Sequence, residues 1–202
     1  MATVQYNRAR RMQTIAISAG VRLTPLDLED AADLFALTDA NRAHLRAWLP
    51  WLDGVRRVED TRAFIRTAER QAARNDGAQF AVRVDGAIAG IIGHHRIDWR
   101  NRHTSLGYWV GEAYQGRGLV TAACRSLLAH AFDAARLNRV EIRCAVGNRR
   151  SRAVPRRLGF REEGMVREAE WLYDHFVDHV VYGMLASDWR RAGGVRGAGS
   201  SG

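Results

Sequence analysis

Apolar positions recur along this chain in two rhythms, and the changes between them mark out its elements. Over Arg22 to Leu26, Gln79 to Val84, Ala87 to Arg96, His103 to Val110 and Arg139 to Val146 they alternate with polar residues or form short blocks, as strands do. From Glu59 to Arg74 the period becomes helical: Phe64, Ile65 and Ala68 gather on one side, with Arg62, Arg66 and Arg70 on others. Leu119 to Leu137 repeats that period at greater length. Asp27 and Asp30 sit at the start of a helix through Leu37. A shorter helical piece from Asn41 to Trp48 is halted by Pro50. Asp85-Gly86 joins two strand patterns and predicts a hairpin turn. Ser151 to Leu158 is helical, Gly159 breaks it, and Phe160 to Glu168 and Val177 to Leu185 are the closing strands. The expected fold is one mixed α/β domain over residues 20–189, with helices on a mostly antiparallel, seven-stranded sheet. Residues 1–19 are expected to be a basic tail, and the Gly/Ser-rich residues 190–202 a disordered one.

Composition narrows the class. The 202 residues suffice for one domain with a substantial core. No apolar run approaches the roughly 20 residues of a membrane span, and the first 18 residues lack the apolar centre of a secretory signal. A soluble cytoplasmic protein is expected, without membrane partners. Cys124 and Cys144 lie in apolar surroundings without close histidine partners, so they look like small core residues, and no metal is expected. All 31 basic residues are arginine, which excludes chemistry on a lysine Schiff base. The net charge of +9 points to acidic partners: cofactor phosphates, a ribosome-associated target or nucleic acid. No aromatic-plus-basic readout motif accompanies that charge.

The most telling stretch is Gly107 to Thr121. An apolar strand stops at Gly111, and Gln115-Gly116-Arg117-Gly118 then opens the long helix. Two glycines where a helix begins leave backbone N–H groups unpaired, open and aligned with the positive end of the helix dipole. Such an end binds phosphate or pyrophosphate. By itself the pattern also fits a tight turn that needs glycine for its backbone angles. It is neither a nucleoside-triphosphate loop nor a G-x-G-x-x-G fingerprint, since no lysine follows and position 121 is Thr.

Gln115 to Val120 resembles the Q/R-x-x-G-x-G/A signature of the GNAT superfamily of N-acetyltransferases. Trp48-Leu49-Pro50-Trp51-Leu52, Gly107-Tyr108-Trp109-Val110, Asn148-Arg149-Arg150-Ser151, Leu158-Gly159-Phe160 and Glu163-Gly164 fall in the order of the RimJ/RimL branch, which acetylates the N-termini of ribosomal proteins. The resemblance implies a GNAT fold with a splayed pair of central strands that admits the pantetheine arm of acetyl-CoA. It implies that Gln115, Gly116, Arg117, Gly118, Leu119, Val120 and Thr121 hold the pyrophosphate, and that the Val110 amide polarises the thioester. It implies that Asn148 contacts the cofactor arm and that Ser151 protonates the leaving sulfur. Asn148 followed by Ser151 is also a helix-start pattern in its own right. Glu170 matches the general base, which would take a proton from an α-amine of pKa about 7.7–8.0; Glu168 ranks below it. Glu170 also fits simple surface pairing with arginine.

In the same group the segment with Trp48 and Trp51 walls the acceptor groove, and Trp171 and Tyr173 are expected to border it; core packing is the competing role of the two tryptophans. Arg149, Arg150, Arg156 and Arg157 are candidates to face the 3′-phosphate of acetyl-CoA, or are solvated helix surface. A homodimer is implied. Two residues depart from the pattern: Val120 replaces a Gly or Ala, and Pro155 stands inside the helix after Ser151. The resulting expectation is direct acetyl transfer to a protein N-terminal α-amine. Acetylation of a small amine (an antibiotic, polyamine or aminoacyl nucleotide) is the alternative within catalysis. A non-catalytic acyl-CoA- or RNA-binding module is the alternative outside it.

Overall fold

The computed structural model describes residues 13–193. The elements run β1 (Ile15–Ser18), β2 (Val21–Pro25), α1 (Ala31–Ala40), α2 (Arg42–Arg46), α3 (Val58–Ala73), β3 (Ala78–Val84), β4 (Ala87–His94) and β5 (His103–Val110). Then follow α4 (Leu119–Ala129), β6 (Arg139–Ala145), α5 (Arg149–Leu158), β7 (Arg161–Leu172), β8 (His175–Leu185) and α6 (Ala186–Arg191). The strands form one sheet of eight in the order β1-β2-β3-β4-β5-β6-β8-β7. Every pairing is antiparallel except β5 with β6.

Helices cover both faces, as apolar side chains on alternate strand positions require. On one face Leu127 and Leu128 of α4 are fully buried against Leu23, Val82, Ile92, Val140 and Ile142, with Val154 and Leu158 of α5 in the same core. On the other, Leu34 of α1 and Ile65 and Ala68 of α3 pack on Ala81, Ile88 and Ile91. The Asp85-Gly86 turn has positive φ at both residues (49° and 91°), the geometry whose twist suits a two-residue hairpin.

Five elements depart from the sequence expectation. The eighth strand is β1, inside the stretch expected to be a solvated tail: Ile15 and Ile17 pack against the core, but two apolar positions in four residues are a weak period. The helical piece after Asn41 ends at Arg46, before Trp48. The long helix leaves α geometry at His130, where a π turn runs to Ala134. β7 continues past Glu168 to Leu172, and α6 extends beyond residue 189. The remaining residues of both expected tails, 1–12 and 194–202, lie outside the described residues.

Candidate active site

β5 and β6 pair only over His103–Ser105 with Arg139–Glu141, and beyond that point they part. The Gly111 amide donates to the Ala89 carbonyl at 2.9 Å. In an antiparallel ladder such bonded pairs alternate, so Val110, opposite Gly90, turns its own amide toward the β6 side, into the opening.

The glycine turn follows β5 beyond Gly111 and opens α4. Gly116 and Gly118 both have φ 73°, and a Cβ built on either meets nothing within 4 Å. Their conformation requires glycine; close packing does not, so the space beside them is open. Gly118 is the N-cap of α4 and no side chain caps that end, leaving the amides of Leu119, Val120 and Thr121 without helix partners. These donors suit a diphosphate. Val120 does not crowd the turn, because its side chain packs against the core. Arg117 places its guanidinium 5.8 Å from the Tyr114 ring centre.

Neighbouring elements steady the turn. Asn41 Oδ1 accepts the Glu112 amide at 2.7 Å. The Gln115 side chain lies 2.5 Å from the His44 ring, and its carbonyl oxygen accepts from Arg150. Arg156 is paired with Glu162 at 3.0 Å, which holds that carboxyl below its usual range. Arg149 and Arg157 are exposed.

Ser151 sits in a directed chain of hydrogen bonds. Asn148 caps α5, its Oδ1 accepting the Ser151 amide at 3.0 Å, so the capping role is present. Pro155 has no N–H to offer the Ser151 carbonyl four residues back. The Tyr108 hydroxyl donates to that carbonyl instead, at 3.0 Å. A phenol has one proton, so Ser151 Oγ is the donor in its 3.3 Å contact with Tyr108 Oη. The Cys144 thiol, 3.2 Å from Ser151 Oγ, then completes the chain as donor. Burial pushes both the Tyr108 hydroxyl and the Cys144 thiol up, so each keeps its proton. Cys124 is likewise a buried free thiol.

Ser151 and Glu170 line one cavity of about 790 Å³, together with Trp48, Trp51, Tyr108 and Trp109. Trp48 approaches Gly147 beyond the end of β6, and the Trp51 and Trp109 rings lie 6.1 Å apart. Tyr173 and Trp171 are not part of this lining. Tyr173 supports the wall from behind: its hydroxyl donates to the Leu49 carbonyl at 2.5 Å, and its ring carries the Arg46 guanidinium at 3.7 Å. Trp171, next to Glu170 on the strand, faces outward and packs edge-on against Phe176 at 4.8 Å. Alternation alone cannot rank Glu168 below Glu170, because residues two apart share a face in a regular strand. Glu170 nevertheless lines the cavity and Glu168 does not.

Sequence reasoning missed the histidines and the arginine of the cavity. His179 brings its Nε2 to 3.5 Å from Glu170 Oε2. His95, held neutral by desolvation and bonded to Ser105 Oγ at 2.9 Å, lies farther along with Arg143. His179 shares a strand face with Val177 and Val181, so only the pairing of β8 with β7 reveals its neighbour. His94, one position from His95, points the opposite way into the core toward His130.

Comparison with known proteins agrees with this geometry. Residues 21–161 match the family model described as an acetyltransferase (GNAT) domain. A putative ribosomal N-acetyltransferase, YdaF, of Bacillus subtilis (strain 168) is 36% identical over 88% of this chain and 98% of its own. The ribosomal-protein-serine acetyltransferase of Escherichia coli (strain K12) is 30% identical over 86% and 97%. Among solved structures, the ribosomal L7/L12 alpha-N-protein acetyltransferase RimL in complex with coenzyme A superposes with a TM-score of 0.84 at 27% identity, over 87% of this chain and 99% of that one. The chain belongs to the GNAT acetyltransferase family.

Proposed function

We propose that this enzyme acetylates the N-terminal α-amine of a ribosomal protein by direct transfer. The observation that carries the reading is that Ser151 and Glu170 share one cavity at the parting of β5 and β6, and that β5 leads on to an uncapped helix end. In the reaction the amides from Gln115 to Thr121 hold the pyrophosphate, and the Val110 amide donates to the thioester oxygen as negative charge develops there. Asn148 lies along the cofactor arm. Glu170, directly or through water, takes a proton from the entering ammonium, and the freed nitrogen attacks the acetyl carbon. As the C–N bond forms and the C–S bond breaks, Ser151 gives its proton to the sulfur and regains one from the new amide nitrogen. Trp48 and Trp51 wall the acceptor's path, with Tyr173 behind them.

A homodimer fits the same reading. β7 is an edge strand that exposes Met165 and Val166, and such an edge invites pairing with a second copy. Among the described residues no helix is long and apolar enough to cross a membrane. The working site we infer is the cytoplasm, beside the ribosome.

The test is thiol release from acetyl-CoA against a panel of N-terminal peptides and small amines. Peptides beginning with Ser or Ala should be preferred; turnover confined to polyamines or aminoacyl nucleotides overturns the acceptor. Glu170→Gln should lower kcat by about 10²–10⁴-fold while coenzyme A still raises the melting temperature. An unchanged rate removes Glu170 as base.

A further inference from the structure

β7 pairs with β8 along its length but is buried only near its end. From Arg161 to Ala169 every residue is exposed; Glu170 is half-buried and Leu172 is 4% exposed. The change follows an irregularity in pairing. Val166 lies opposite His179 and Glu170 opposite Val177, so Arg167, Glu168 and Ala169 stand against the single residue Asp178. The middle residue of this bulge, Glu168, has φ 48°, a left-handed conformation that strains a residue carrying a side chain. Its amide donates to Asp178 Oδ1 at 2.8 Å. The residue the bulge faces therefore supplies the acceptor that pins it.

The bulge decides which carboxylate meets the groove. Without it, continuation of the pairing from Val166 and His179 would set Glu168, not Glu170, opposite Val177. It would also move Leu172 off its buried position and the Tyr173 hydroxyl off the Leu49 carbonyl. A bulge bends its strand and re-aims the side chains that follow. Here the strand past the bulge brings Ala169 and Glu170 into the cavity wall and Glu170 within 3.5 Å of His179.

We infer that Asp178 is a positioning residue for acetyl transfer: by pinning the Arg167–Ala169 bulge it turns the end of the β7–β8 hairpin over the acceptor groove and presents Glu170 there. The inference rests on Glu170 being the base. Asp178→Ala in the full chain should lower kcat about tenfold or more with the KM for acetyl-CoA unchanged. Asp178→Asn keeps an oxygen that accepts the same amide and should retain most of the rate. Glu168→Gly in the Asp178→Ala background relieves the left-handed residue and should restore part of the loss, which a merely structural defect would not show. In the unmutated protein the Glu168 amide should exchange its hydrogen far more slowly than those of Arg167 and Ala169, so the pin is testable even if Asp178→Ala does not fold. Asp178→Ala within twofold of the unmutated rate, equal loss in Asp178→Asn, absence of rescue, or rapid exchange at Glu168 each overturns the inference. Glu170→Gln separates the two readings: if it kills turnover while Asp178→Ala does not, the base stands and the positioning role falls.

Discussion

Six consecutive residues, Gln115 to Val120, form the proposed cofactor turn, whereas the proposed acceptor groove draws Trp48 and Trp51 from one segment, Ser151 from a second, Glu170 from a third and His179 from a fourth. The turn works through main-chain donors released by glycine geometry, which local sequence dictates. The groove works through side chains that meet only after the sheet is assembled. Locally encoded chemistry tolerates change elsewhere in the molecule; chemistry assembled from distant segments depends on the register of every strand that carries it.

If the two ends are separable, Glu170→Gln is the variant with the largest effect, lowering kcat by about 10²–10⁴-fold while leaving the coenzyme A melting shift. Gly118→Val is its counterpart at the other end. A branched side chain at φ 73° is strained, so coenzyme A binding measured by calorimetry should weaken on the order of tenfold. The comparison would break at α2. One end of that helix holds the cofactor turn through Asn41 and His44, and its other end leads to Trp48 and the groove wall. His44→Ala should raise the KM for acetyl-CoA roughly threefold. If the KM for the acceptor rises equally, the two ends act as one unit.

Pro155→Ala gives a smaller and more pointed effect. The new amide would compete with Tyr108 for the Ser151 carbonyl, restoring a helix bond that adds about 1 kcal/mol of stability. Tyr108 would lose its acceptor and Ser151 its fixed direction, so kcat should fall a few-fold as the melting temperature rises. A rise in both would show that the hydrogen-bond chain around Ser151 does not matter to turnover.

The smallest effect lies away from both ends. Desolvation holds His94 neutral, its pKa lowered from 6.5 to about 3. The unfolded chain binds a proton below pH 6.5 that the folded chain refuses, so stability is full above that pH and declines as pH falls toward about 3. Between pH 6.5 and about 5 the melting temperature should therefore drop, and less steeply in His94→Leu. The slope should not vanish, because burial also lowers the pKa of His95 and His130.

Most elements were legible because their apolar periods are long: α3, α4 and the β3–β4 hairpin appear within a residue or two of where the pattern places them, apart from the π turn that ends the long helix. β1 was not, since two isoleucines carry no decisive period and only docking beside β2 makes them a strand. Ser151 and Glu170 were chosen as candidates through the order of landmarks around them, and both line one cavity. Trp171 was expected beside that cavity but faces away from it, because alternation puts the neighbour of an inward residue outward.

Sequence alone determined an open helix end at Gly118, since left-handed glycines and unpaired first-turn amides are properties of a few adjacent residues. Tertiary structure decided what stands around the reacting centre: the Tyr108 hydroxyl on the Ser151 carbonyl, and the register that gives Glu170 rather than Glu168 to His179. The reason is physical. Backbone torsions are set by each residue and its immediate neighbours, whereas a side chain's partner across a sheet depends on pairing, which one bulge can shift for every residue beyond it.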